Sequence, residues 1–424
     1  MQHYKYVIVG GGIAGTTAAE TVRKNDAEGS IAIVSDEPYT LYSRVLLSKP
    51  GFVRGEQPLE SVWLKKPEWY EQNKIAFIGG VSATALDGTA KKLALSNGEE
   101  LEYEKLLLAI GAHARKWTIP GSDKKGILYL RGLDDTKAIM EAIKTKNPPS
   151  PAGFGAAKRA VLIGSGCVSF EIAEILRSLN IETTLVMREK YFGEPMLSEP
   201  EGKIIEATLE KNGVNIMRET EITEVLGAEE ATGVVLKNGE RLECNMILPM
   251  IGIVYPTEWL KSSGVVVKRG IVANEFLETS IPDVWTAGDI AEYNDLALEE
   301  MIICGNWMNS RGQGEIAGLG MVGKRTEYKS VTFQTSHGFG DLVGFVGDTR
   351  ALPDRIVVFR KDTEKNSLVR IIIRGENIIG ATLINRMPEM GTVTKLIKDG
   401  VNVAGKQEDM AKPEFDLKTL FPIA

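Results

Sequence analysis

One short pattern occurs twice in this chain, and nothing else in it constrains the fold as tightly. Near the start, the apolar run Tyr6-Val7-Ile8-Val9 meets Gly10-Gly11-Gly12-Ile13-Ala14-Gly15, followed by helix-tolerant residues from Thr16 to Glu20. This predicts a buried strand, a tight turn and a helix, with Gly10, Gly12 and Gly15 spelling G-x-G-x-x-G. A Cβ at these positions would block the turn, the approach of a pyrophosphate or the packing of helix on strand. Phosphates can then rest on N–H groups left unbonded at the helix start. A second strand, Ile31 to Ser35, ends at Asp36, 21 residues past Gly15, where a carboxylate suits ribose hydroxyls. Residues 4–36 are expected to hold the ADP half of a dinucleotide; the plainer alternative is a turn that is tight for steric reasons alone. The pattern returns at Ala160-Val161-Leu162-Ile163-Gly164-Ser165-Gly166-Cys167-Val168-Ser169, with helical spacing through Leu176 and a strand from Thr183 to Met187.

Composition excludes several classes. At 424 residues, two or three domains are expected, and 43% hydrophobic with 25% charged residues is ordinary for a globular protein. Fifty basic against 57 acidic residues give a net charge of −7, which disfavours nucleic acid as a partner. No apolar stretch approaches the ~20 residues of a membrane span. The N-terminal run lacks a basic leader and a cleavage site, so it reads as a strand rather than a signal peptide. Three widely spaced cysteines, Cys167, Cys244 and Cys304, make neither C-x-x-C nor a disulfide framework, and no metal site is read. A reducing, cytoplasmic setting fits.

Between the two turns, residues 37–60 read as a loop and short helix carrying Tyr42, Ser43, Arg44, Leu47, Ser48 and Lys49. Arg44 and Lys49 would ordinarily be solvated, but they follow directly on the ribose-binding strand. Strands are expected at Ile75–Ile78, Leu93–Ser96, Leu101–Glu104 and Leu106–Ala112. A Pro- and Lys-rich linker is expected from Lys144 to Lys158. Val234–Leu236, the Asn238-Gly239 turn and Arg241–Leu248 suggest a hairpin. Met246 to Gly252 echoes Leu106 to Gly111, and Thr286-Ala287-Gly288-Asp289 precedes a helix at about Trp307–Met321. Past residue 326, strands at Arg355–Phe359, Leu368–Ile373 and Ile378–Ile384, with a short helix near Val393–Ile397, make a small α+β domain. His3 is assigned to a frayed terminus; His113 and His337 receive no catalytic role.

In their order, the Gly10–Gly15 turn, the Leu106–Gly111 strand, the Gly164–Glu171 turn and Thr286–Asp289 resemble the two-dinucleotide flavoproteins. That family includes glutathione reductase, rubredoxin and ferredoxin reductases, and apoptosis-inducing factor. The resemblance covers residues 4–325 and implies an α/β fold with two Rossmann-like domains. FAD would occupy 1–118 with 252–325, NAD(P)H would occupy 119–251, and 326–424 would be the small α+β C-terminal domain. It implies that Gly10, Gly12, Ala14, Gly15, Asp36, Arg44, Ala109, Gly111, Gly252, Gly288 and Asp289 line FAD, with Arg131 as a less specific contact. Lys49 would approach the redox edge of the flavin. Glu171 would pair with Lys49 and meet the nicotinamide, and Gly164 and Gly166 would hold the nicotinamide dinucleotide. Trp307 matches an aromatic that flanks the two rings, although a core tryptophan is an equal alternative.

The departures define the subclass. Disulfide-reducing members carry one or two cysteines just after the Asp36 position; here no cysteine precedes Cys167, so a thiol relay has no nucleophile. The resemblance implies a rubredoxin- or ferredoxin-reductase-like enzyme, electrons leaving directly from flavin to a small redox protein or small-molecule acceptor. A peroxide-forming NAD(P)H oxidase or diaphorase, and a redox-sensing protein like apoptosis-inducing factor, are the alternatives. Met187 stands at the family's NAD-type carboxylate and Arg188 follows, which points to NADPH, while nearby Glu189 keeps NADH open. Monomer and homodimer both remain open.

Overall fold

The computed structural model describes residues 2–144 and 159–422. Nearly all of the expected Lys144–Lys158 linker lies outside them. The chain forms two compact units, one made of residues up to 43, 60–113 and 253–332, the other of 44–59, 114–252 and 333 onward.

In the first unit a seven-stranded sheet runs in the order Ile75–Gly79, Ile31–Ser35, Gln2–Val9, Glu100–Leu108, Lys92–Leu95, Ala83–Asp87, with Val284–Thr286 also beside Glu100–Leu108. Its central pairings are parallel. Alternate residues serve opposite faces: Val7, Val9, Leu106 and Leu108 pack into one core, Ile8, Ile33, Leu107 and Trp285 into another. A parallel sheet covered on both sides needs such unbroken apolar runs. The Ile13–Asn25 and Trp307–Met321 helices lie against each other because glycine permits it. A Cβ on Gly314 would overlap the Ala14 carbonyl, and one on Gly318 would come within 2.8 Å of the Ala18 carbonyl. Strand pairing begins at Gln2, with His3 opposite Glu102, so His3 is not frayed. The Leu106–Ala112 strand ends at Leu108; the chain then turns, with φ +60° at Gly111.

In the second unit a four-stranded parallel sheet is ordered Val214–Met217, Glu182–Val186, Arg159–Ile163, Met246–Pro249. Beside it is a three-stranded antiparallel sheet. The expected hairpin arm Arg241–Leu248 is therefore two strands: Arg241–Glu243 closes the hairpin, and Met246–Pro249 joins the parallel sheet. A five-stranded antiparallel sheet follows, Phe333–Gly338, Asp341–Gly347, Asn377–Ile384, Ser367–Arg374, Arg355–Asp362. It shares a core with the parallel sheet: Leu162, Phe170 and Leu185 pack in one cluster with Val343, Phe345, Leu368 and Ile384. An internal ion pair crosses the same contact. Arg370 Nε lies 2.9 Å from Glu201 Oε2, both side chains almost wholly buried, and an Arg370 Nη–H donates to the Met196 carbonyl. Charges so far from water persist only when paired and hydrogen-bonded.

Candidate functional site

Each unit carries one glycine turn, and both turns are built alike. Gly10 has φ +119° and Gly164 φ +101°, backbone that a side chain rarely adopts. A Cβ on Gly10 would overlap the Ala109 carbonyl, and one on Gly164 would lie 2.5 Å from the Met250 carbonyl, the matching residue of the neighbouring strand end. Gly12 and Gly166 are the N-caps of the Ile13–Asn25 and Cys167–Ser178 helices, so no side chain caps either helix. Neither would put a Cβ within 4 Å of any described atom. Open space over uncapped N–H groups suits a phosphate-bearing ligand. In the second turn the buried Ser169 Oγ has no hydrogen-bond partner among the described residues, a further sign of room for a polar group.

Around the first turn, Asp36 stands exposed just past the Ile31–Ser35 strand, 3.7 Å from His113. Gly288, with φ +87°, donates its N–H to Gln313 Oε1 (2.8 Å), and a Cβ there would come 3.2 Å from Ala14. Asp289 accepts a hydrogen bond from Ser310 (3.0 Å) and lies against Gly305. The element after Asp289 is the Ala291–Asp295 strand, and the Trp307–Met321 helix is capped by Asn306, so Asp289 is not a helix cap. Trp307 is half-buried in the first turn of that helix.

In the second unit Arg44 donates to the Arg131 carbonyl (2.9 Å), and Asp135 accepts from the Arg131 and Gly132 N–H groups. Glu171, 5% exposed at its side chain, collects three donors. Lys49 Nζ is 2.7 Å from Oε1, Ser336 Oγ is 3.0 Å from Oε1, and Ser48 Oγ donates to Oε2. The family resemblance implied the Lys49–Glu171 pair; nothing in the sequence pointed to Ser336. Gly252, φ +93°, opens the strand-end turn after Met250, and its carbonyl accepts from the Arg115 N–H. Past the Glu182–Val186 strand, Met187 is buried and Arg188 is 76% exposed. Glu189 takes the Arg188 Nε at 3.1 Å through Oε1, while its buried Oε2 has no partner among the described residues.

No disulfide joins the three cysteines. Burial, and then the charge of Glu171, push the Cys167 thiol up to about 11; burial alone pushes Cys244 up to about 12. Both surroundings disfavour the thiolate, the reactive form, at neutral pH.

A pyridine nucleotide-disulphide oxidoreductase profile matches residues 4–314, and a reductase C-terminal profile matches 336–421. The chain belongs to the pyridine nucleotide-disulphide oxidoreductase family. It is an NAD(P)H-dependent flavin oxidoreductase with two dinucleotide-binding folds and the reductase C-terminal region. It is 28% identical to the ferredoxin–NAD(+) reductase component of the biphenyl dioxygenase system of Paraburkholderia xenovorans, over 94% of each chain. It is 26% identical to rubredoxin–NAD(+) reductase of Pseudomonas putida, over 92% of this chain and 98% of that one. The covalent putidaredoxin reductase–putidaredoxin complex superposes with TM-score 0.89 over 99% of this chain and 98% of that one, at 23% identity. Among the described residues no helix is long and apolar enough to cross a membrane.

Proposed function

We propose that this chain delivers electrons from a nicotinamide dinucleotide, through FAD, to a small one-electron carrier of the ferredoxin or rubredoxin kind. FAD, when bound, supplies the conversion of a two-electron hydride donor into single-electron deliveries. The observation carrying the proposal is end-to-end similarity to ferredoxin- and rubredoxin-directed reductases, in a chain with no cysteine near the first turn.

In this reading 1–118 with 252–325 hold FAD, and 119–251 hold the nicotinamide dinucleotide. Gly10, Gly12, Ala14 and Gly15 shape the FAD phosphate cradle, and Ala109, Gly111, Gly252 and Gly288 let backbone approach. Asp36 takes ribose hydroxyls and Asp289 the ribityl chain. Arg44, held at the Arg131 carbonyl, lies along FAD, Arg131 is a less specific contact, and Trp307 offers an aromatic face. Gly164 and Gly166 form the second cradle. Glu171 orients the carboxamide, and Lys49 places its cation where negative charge develops. The thiols suggest a reducing, cytoplasmic setting.

NADPH is the proposed donor, because the exposed Arg188 can meet a 2′-phosphate bidentately. The second reading, NADH, is favoured by the unsatisfied buried oxygen of Glu189, which would accept from a ribose hydroxyl. Arg188→Leu should erase a kinetic preference for NADPH, and an unchanged NADPH-to-NADH ratio ends that assignment. Anaerobic stopped-flow tests the acceptor. Fast reoxidation by a ferredoxin or rubredoxin supports the proposal; fast reoxidation only by oxygen or quinone replaces it with the oxidase or diaphorase reading.

A further inference from the structure

The C-terminal sheet reaches the Lys49–Glu171 pair through one side chain. Ser336, 3% exposed on the Phe333–Gly338 strand, has its Oγ 3.0 Å from Glu171 Oε1 and 3.3 Å from the Cys167 carbonyl. One hydroxyl proton serves one acceptor at a time, and the contact to Glu171 is the shorter of the two. The strand sits tightly on the helix bearing Glu171: a Cβ on Gly338 would come within 2.9 Å of three atoms of the Phe170 ring. Glycine at 338 thus sets the close approach that lets a side chain as short as serine span the gap.

We propose that Ser336 is a positioning residue for this reductase, its hydroxyl fixing the Glu171 carboxylate so that Lys49 is held on Oε1 while Ser48 occupies Oε2. A carboxylate offers about four lone-pair sites. Lys49, Ser336 and Ser48 fill three of them, leaving about one for an N–H of a bound carboxamide. Without Ser336, Oε1 keeps a flexible lysine as its sole donor among these three, and the carboxylate plane can turn about its last torsion, which is soft. Lys49 then follows. A region that makes no nucleotide cradle of its own would in this way set the geometry of hydride transfer. The proposal rests on the reading of Lys49 and Glu171 as the groups that meet the nicotinamide and flavin.

The test uses flavin-loaded protein mixed anaerobically with NADPH and with NADH. Ser336→Ala should keep its flavin and show a limiting flavin-reduction rate about tenfold lower, with the apparent Kd for nucleotide moved less than about twofold. Ser336→Thr should restore the rate, Ser336→Cys should not, and adding Ser336→Ala to Glu171→Gln should slow it no further. Independently of turnover, urea unfolding of the nucleotide-free protein should show Ser336 and Glu171 coupled in a double-mutant cycle. If Ser336→Ala loses its flavin, the Thr and Cys variants decide. A wild-type rate in Ser336→Ala with a slow Glu171→Gln overturns the proposal alone, as does equal slowing on both backgrounds. Glu171→Gln at the wild-type rate removes the reading of Glu171, and the proposal with it.

Discussion

The two glycine turns agree at their first two glycines and differ at the third. In the first, Gly15 is pressed against its own strand end, where a Cβ would overlap the Gly10 carbonyl, and the helix starts cleanly with Thr16 N–H on Gly12 O at 3.0 Å. In the second, Ser169 occupies that position. Its N–H bonds Gly166 O at 2.9 Å, and the next bond, from Phe170, stretches to 3.4 Å. The third residue therefore governs how closely helix packs on strand, while the first two shape the space a phosphate would take. The second turn is the looser. It tolerates a buried hydroxyl with no partner among the described residues.

The largest test of that contrast is Gly15→Ala. Overlap with backbone cannot be relieved by a rotamer change, so a cost of about 3 kcal/mol and loss of flavin colour are expected. Ser169→Gly should change stability by less than about 0.5 kcal/mol in the same unfolding assay, because losing the unsatisfied hydroxyl offsets the helix cost of glycine. Equal losses would end the distinction. Next in size is the thiol at the second turn. Cys167 opens a helix, a position that ordinarily favours thiolate, yet burial and Glu171 hold it at about 11. Below that pH it stays protonated, so iodoacetamide labelling at pH 8 should be roughly a hundredfold slower than for an ordinary thiol, rising as pH nears 11. Labelling at an ordinary rate at pH 8 contradicts the burial argument.

Smaller effects separate the two cradles. Gly12→Ala and Gly166→Ala fill open space, so unfolding midpoints without nucleotide should move by no more than about 0.5 kcal/mol. Gly12→Ala should weaken FAD about tenfold, and Gly166→Ala should weaken NADP+ about tenfold, as read by calorimetry. Crossed effects would reverse the assignment of the turns. Ser169→Ala should instead stabilise the protein by about 1 kcal/mol, because an unsatisfied buried hydroxyl is removed.

What the sequence made legible was local. Both strand–turn–helix segments and the Trp307–Met321 helix could be read because periodicity and glycine spacing lie within about twenty residues. The Glu199–Lys211 helix went unread although Ser198 and Glu201 form a capping box with Pro200 in the first turn, a signal present in the letters. The Phe333–Gly338 strand offered no such signal. Phe333-Gln334-Thr335-Ser336-His337-Gly338 lacks apolar alternation, and its pairing and its Glu171 contact are set by packing. Ser336 and Glu171 are 165 residues apart, beyond any spacing rule. Lys49 and Glu171 were found only through resemblance.

Residues 44–59 depart from the first unit between two neighbouring strands of its sheet, and the Val284–Thr286 strand enters that sheet only after the whole of 114–252 has been made. On the ribosome the sheet that opens the chain must wait for residues near 286, while the Arg159–Pro249 parallel sheet has all its strands much earlier. The N-terminal nucleotide fold, the first to begin, is thus completed only after the Arg159–Pro249 sheet has all its strands, and cutting the chain at any single point between 44 and 284 removes part of its sheet or separates that sheet from its final strand.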